Sequence, residues 1–209
     1  MSITTYTNLK TTIASYLNRE DLTAYLGDFI TLAESRMNRE LRVREMVEIN
    51  TSTDTVAGTQ SYDLPTGYLE ALTVIYQNNP FTTLRFMANT DFYNKYNSSQ
   101  SSGTPNFFTI VGTKILLGVQ PDSATTLQIN HYKKLTALSD TNTTNDILTN
   151  YPELYLYGAL AESSPFLMQD ERLQIWAGLY KEALKNANES SSKGSTTSSP
   201  LQMSSSQVA

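Results

Sequence analysis

Between Tyr6 and Leu41 apolar side chains recur at steps of three and four. They are Tyr6, Leu9, Ile13, Tyr16 and Leu17, then Leu22, Leu26, Phe29, Ile30, Ala33, Met37 and Leu41. That spacing predicts two amphipathic helices, parted by a turn and cap at Asn18 to Asp21, with the second ending near Arg42. The other face of the second helix carries Glu34, Arg36, Asn38, Arg39, Glu40, Arg42 and Arg44. It reads as a solvated face with charge pairs such as Arg36 and Glu40, each worth about 0.2–0.5 kcal/mol, or as a contact to another subunit.

Near Val43 the period drops to two, with Val47 and Ile49 followed by Thr51, Thr53 and Thr55. Helix gives way to strand. Further strands are predicted over 61–64, 69–77, 81–86, 106–111, 113–119 and 126–133, with a short helix over 90–97 and a polar loop over 98–104. The turn signals Pro65-Thr66-Gly67, Asn78-Asn79-Pro80 and Gly112-Thr113 punctuate them, the last predicting a hairpin. No helical crossover among them is long enough for a parallel sheet, so an antiparallel sandwich or small barrel is expected.

Beyond the polar stretch 138–150, Pro152 suits the first turn of a helix. Leu154, Tyr155, Leu156, Tyr157, Ala159, Leu160 and Ala161 surround that helix with apolar or amphipathic side chains. It therefore needs cover on most sides, and Leu154, Tyr155, Leu156, Tyr157 and Leu160 are candidate subunit-interface or bundle residues. Pro165 ends or kinks it, and Gln169 or Asp170 caps a last helix with the stripe Leu173, Trp176, Leu179, Tyr180, Ala183 and Ala187. From Ser190 on, nine serines leave too little apolar surface to fold alone, so the segment reads either as a frayed terminus or as a tail that orders on a partner, with Leu201, Met203 and Val208 as its apolar residues.

The predicted class is α+β. Terminal helices pack as a helical bundle built from residues 1–44 and 138–189, an antiparallel β-sandwich or barrel occupies 45–137, and 190–209 form an extended, partner-docking C-terminal tail. The chain's 209 residues, 39% hydrophobic and 17% charged, suffice for one large domain or two small ones.

Chemistry is conspicuous mainly by what is missing. With no cysteine, disulfides, thiolate metal sites and cysteine nucleophiles are excluded. The single histidine, His131, lies on the Leu127 and Ile129 side of an alternating strand. No HExxH, GxSxG, P-loop or GxGxxG occurs, and acidic residues show no metal-ligand spacing. Carboxylate pairs such as Asp63 with Glu70, or Asp170 with Glu171, arise by chance in a chain with 20 acidic residues. No catalytic residue, cofactor or metal is expected, and the chain reads as a non-enzyme.

Charge narrows the partners. Lys and Arg total 15 against 20 Asp and Glu, a net charge of -5 with pI near 4.9. No segment concentrates the basic residues, which argues against tight nucleic-acid binding but suits a wall past which DNA slides. The start lacks the layout of a secretory signal, and no stretch approaches the roughly 18 apolar residues of a membrane span. The expectation is a soluble protein made inside the cell, with no membrane partner.

Residues 14–46 carry Asn18-Arg19, the Phe29-Ile30-x-Leu32-Ala33-Glu34 run and Glu40-Leu41-Arg42. Leu64-Pro65-x-Gly67-Tyr68-Leu69, Gly103-Thr104-Pro105, Tyr132, Thr144-Asn145-Asp146-Ile147-Leu148 and Pro152-x-Leu154-Tyr155-Leu156-Tyr157-Gly158-Ala159-Leu160 follow in order. In content and order these resemble the head-to-tail adaptor proteins of short-tailed bacteriophages, over nearly the whole chain to about Asn188. Asp146 departs from that pattern, where an aromatic is expected.

The resemblance implies a virion structural protein at the portal vertex, made in the host cytoplasm. It would form a ring with itself, usually of twelve subunits, joining the portal protein to the tail nozzle or tube protein. DNA would pass through its channel without specific binding. The helical part would meet the portal, the β part would face the tail, and Leu201, Met203 and Val208 would dock on the portal. Two other readings remain open: a tail-completion or minor tail protein capping a tube end, and a virion-associated glycosidase using two of the carboxylates.

Overall fold

In the computed structural model, residues 3–96, 101–167 and 172–195 are described, and the architecture is mixed α+β. The chain divides into two compact units, one of Met1–Glu45 with Leu135–Ala209 and the other of Met46–Lys134.

The first unit is helical. Helix α1 (Tyr6–Leu17) starts where the Thr5 hydroxyl accepts from the Asn8 N–H, buries Tyr6, Leu9, Ile13 and Leu17, and ends at Asn18 in a left-handed conformation. A 3₁₀ turn over Glu20–Tyr25 precedes α2 (Leu26–Glu40), which buries Leu26, Phe29, Ile30, Ala33 and Met37. The period thus predicted the stripe but placed the α-helical start too early, since Leu22 lies in the 3₁₀ turn. A short helix α4 (Asp146–Asn150), capped by Asn145, leads into α5 (Pro152–Glu162), with α3 belonging to the second unit.

Helix α5 packs against α1, α2 and α6 (Arg172–Ser195). It can approach closely because Gly158 lacks a side chain: a Cβ there would lie 3.1 Å from the Ala33 Cβ and 3.3 Å from the Tyr180 ring. Burying Leu154 and Leu160 completely contributes about 1.5–3 kcal/mol each. Helix α6 turns Trp176, Tyr180, Ala183, Ala187 and Ser191 inward and runs to Ser195, so residues 190–195 of the serine-rich segment are helical. The cap expected at Gln169 or Asp170 lies outside the described residues.

The second unit is one curled sheet of seven strands. They are β1 (Val47–Asp54), β2 (Ser61–Asp63), β3 (Tyr68–Tyr76), β4 (Thr82–Phe86), β5 (Phe107–Val111), β6 (Lys114–Leu117) and β7 (Thr126–Lys133), with α3 (Asn89–Tyr96) between β4 and β5. Their order is β1-β7-β3-β4-β5-β6-β2. One expectation is narrowed and one corrected. The strands form a single curled sheet, which of the two expected forms is nearer the barrel than the two-layered sandwich, and β4 runs parallel to β5 through Arg85 opposite Phe107 and Phe86 opposite Phe108. The connection holding α3 supplies the crossover judged too short. The remaining pairs are antiparallel. Gly112, at φ 61°, opens the two-residue loop that pairs Val111 with Lys114, as the hairpin signal predicted.

The core of this unit gathers Tyr62, Val74, Tyr76, Leu84, Phe108, Ile115, Leu117, Leu127 and Ile129. Tyr62 seats its polar tip by donating to the Thr59 carbonyl at 2.6 Å and accepting from the Val56 N–H at 3.1 Å.

Candidate interaction surfaces

On α2, Glu34 follows Ala33 and lies one turn before Met37, at the rim of the apolar stripe. The charged-face pattern placed it in solvent, but it is only 5% exposed. Its Oε1 accepts from the Leu138 N–H at 2.8 Å and the Tyr155 O–H at 3.1 Å. Asn145 donates to the Tyr155 oxygen at 2.6 Å and to the Thr136 carbonyl at 2.8 Å, while its Oδ1 caps α4. Burial pushes the Glu34 carboxyl above its ordinary range, against the pull of its two donors. Burial, then the nearby Glu34 charge, pushes the Tyr155 hydroxyl up.

The same logic recurs along the segments that begin and end the helical unit's two stretches. Asn38 Oδ1 accepts from the Leu135 N–H at 2.9 Å. Asn188 Oδ1 accepts from the Arg42 N–H at 2.9 Å, and Ser191 Oγ from the Arg44 N–H at 2.8 Å. Residues 41–44 and 135–138 are therefore pinned by side chains of α2 and α6. Sequence reasoning missed these anchors, because polar residues on helices carry no mark of what they bind.

Of the five α5 candidates, Leu154, Tyr155, Leu156 and Leu160 are buried, and Tyr157 is half-buried. The cover that α5 needs comes from this chain's own helices, which leaves Tyr157 as the candidate with accessible area. Leu201, Met203 and Val208 lie outside the described residues.

Exposed apolar side chains mark other surfaces. In the helical unit the Phe166 ring sits 5.1 Å from Tyr25 and 5.3 Å from Phe29, and Leu32 is half-exposed two turns beyond Tyr25. In the sheet unit Val47 and Ile49 lie exposed on the edge strand β1. Exposed apolar side chains grouped in this way mark candidate contact sites.

A cleft of about 490 Å³ opens in the sheet among β3, β4 and β5. Its cause is a branch in β4. Residues 82–84 pair antiparallel with Val74–Tyr76 of β3, whereas Arg85 and Phe86 turn away to pair with β5. Among the described residues, the β4 side of β3 is therefore unpaired with any strand from Tyr68 to Thr73. Leu72, Val74, Phe86, Phe108 and Ile110 line the gap.

His131 is fully buried, with Nδ1 3.2 Å from the Ile129 carbonyl and its ring 5.5 Å from that of Tyr68. Glu48 Oε2 lies 3.6 Å from Nε2, and Lys133 donates to Glu48 Oε1 at 2.9 Å. This imidazole, sealed from solvent, braces β1, β7 and β3. Asp63 forms an exposed ion pair with Lys114 on β6, on the opposite side of β4 and β5 from Glu70 on β3. Among the described residues, no three His, Asp or Glu are grouped to hold a metal ion, and no helix is long and apolar enough to cross a membrane.

The family model described as SU10 adaptor protein matches residues 4–204. No curated protein matches the chain.

Proposed function

The chain belongs to the SU10 adaptor protein family of phage head-to-tail adaptors, and from that membership we propose that it forms a ring, of about twelve copies, between portal and tail. Its family makes it a phage virion component and a structural protein. The observation that carries the finer reading is a match over 4–204, which spans both compact units. In the proposed arrangement the helical unit meets the portal and the sheet unit faces the nozzle or tube. The exposed apolar groups around Phe166 and along β1 supply contact area in both units. The acidic balance, with pI near 4.9, lets DNA pass without being held by its phosphates.

Purified protein mixed with the portal ring of its own phage tests the reading, with native mass spectrometry and negative-stain microscopy as readouts. The expected product is a portal carrying about a dozen added 23.3 kDa subunits, even if the free protein is a monomer. Association with a tail-tube end and none with the portal overturns it in favour of a tail-completion role. Clearing of peptidoglycan that a single carboxylate-to-amide change abolishes would instead favour the glycosidase.

A further inference from the structure

The cleft between β3 and β5 is bounded by strand backbone on both sides, which specifies the form of its occupant. Beyond the branch at Arg85, β5 continues through Thr109, Ile110 and Val111 in the direction antiparallel to β3. The β4 side of Tyr68–Thr73 and the β4 side of β5 beyond Phe108 thus face a gap that no strand of the described residues fills. Such edges accept an extended segment, which adds as a strand through main-chain hydrogen bonds and presents alternate side chains to one face. Leu72, half-exposed, and Phe86, 64% exposed, with Ile110 on the β5 wall, ask for apolar groups two residues apart.

We propose that the cleft takes the C-terminal segment of a second copy of this chain, residues 196–209, with Leu201 and Met203 against its apolar lining. Three observations on the chain favour this occupant. The segment holds no charged side chain, matching a cleft whose lining includes only one ionisable carboxylate, Glu70. Leu201 and Met203 are spaced i, i+2, so in a strand both point to one side. The described helix ends at Ser195, and the 14 residues beyond it span up to about 46 Å when extended, enough to leave their own subunit. The exchange rests on the ring reading and gives each copy a hold on its neighbour. It assigns to a sister subunit the side chains that the family resemblance assigns to the portal, so the two destinations form the arms of one experiment.

Because the chain has no cysteine, single cysteines report without background. Full-length copies carrying Leu72→Cys are mixed with full-length copies carrying Met203→Cys, and a second mixture uses Ile110→Cys to sample the other wall. Both are assembled with and without the portal ring, oxidised gently and run on a non-reducing gel. The expected result is a linked pair of about twice the subunit mass, with a yield that falls about tenfold when Leu201→Ser is added to the tail. No linked pair from either wall, in samples that form rings on the portal, overturns the exchange and leaves the ring reading standing. A linked pair without rings supports the cleft and removes the ring. Linkage that vanishes once the portal is bound sends the tail to the portal and overturns the exchange in the assembled state.

Discussion

Glu34 offers the sharpest test of how the helical unit holds together. Replacing it with Ala leaves the Leu138 N–H and the Tyr155 O–H without their acceptor. Each buried donor left unpaired costs about 1–3 kcal/mol, and relief of the buried carboxylate returns part of that, so a loss of about 2–4 kcal/mol is expected. Glu34→Gln keeps an oxygen for both donors and removes the charge, so at neutral pH it should cost less than about 1 kcal/mol. The pH dependence follows from the direction of the carboxyl's shift. A carboxyl raised by burial binds its proton more tightly when folded, so its contribution is fully present below the unfolded value near 4.3 and is lost as pH rises through the higher folded value. The stability of wild type relative to Glu34→Gln should therefore fall between acidic and neutral pH. Urea unfolding followed by Trp176, the single tryptophan and a buried member of the same unit, reads this directly. With m of about 2 kcal/mol per M, the middle of the usual range, the Ala variant should lose about 1–2 M in midpoint. Equal losses for Ala and Gln, or a difference from Gln that stays constant with pH, would refute the account.

Two further outcomes are expected. Asn188→Ala removes the acceptor for the Arg42 N–H and should lower the Trp176-monitored stability by about 1 kcal/mol, with Ser191→Ala acting similarly at Arg44. Gly158→Val forces side-chain atoms into the contact with Ala33 and Tyr180 and should cost about 1–3 kcal/mol or more, whereas the same change at Gly178, which has nothing within 4 Å of its absent Cβ, should cost clearly less; equal melting shifts at both glycines would contradict the packing argument.

What the sequence made legible was whatever depends on neighbours along the chain. The stripe of α1 apart from Tyr16, which is exposed, the Asn18 stop, Pro152 at the head of α5 and the Gly112-Thr113 hairpin all lie where local periodicity and turn chemistry put them. The Thr126–Lys133 strand was read to its ends, with His131 on its buried side. Strand order was hidden, because the parallel pairing of Arg85 with Phe107 joins residues 22 apart by no rule of period. The branch of β4, and with it the cleft, follows from that pairing and was equally hidden. Glu34, Asn38, Asn145, Asn188 and Ser191 were hidden for another reason: their partners are main-chain groups, which every residue but proline supplies. Leu201 and Met203 could be named as candidate anchors from the sequence, but the cleft proposed for them could be sought only once the gap between β3 and β5 was visible.

The helical unit is assembled from the two ends of the chain, and this sets an order on the ribosome. The segment Met46–Lys134 is complete before α5 and α6 have been made, whereas α2 ends at Glu40 and must wait for α5, which ends at Glu162, before its apolar stripe is covered. At about 5–20 residues per second that delay lasts roughly 6–24 s. During it the apolar stripe of α2 has no α5 to cover it, a window in which a chaperone has something to hold. Any surface that needs the closed helical unit exists only once α6 emerges, so a product truncated before α5 would lack the helical face with which to poison an assembling virion.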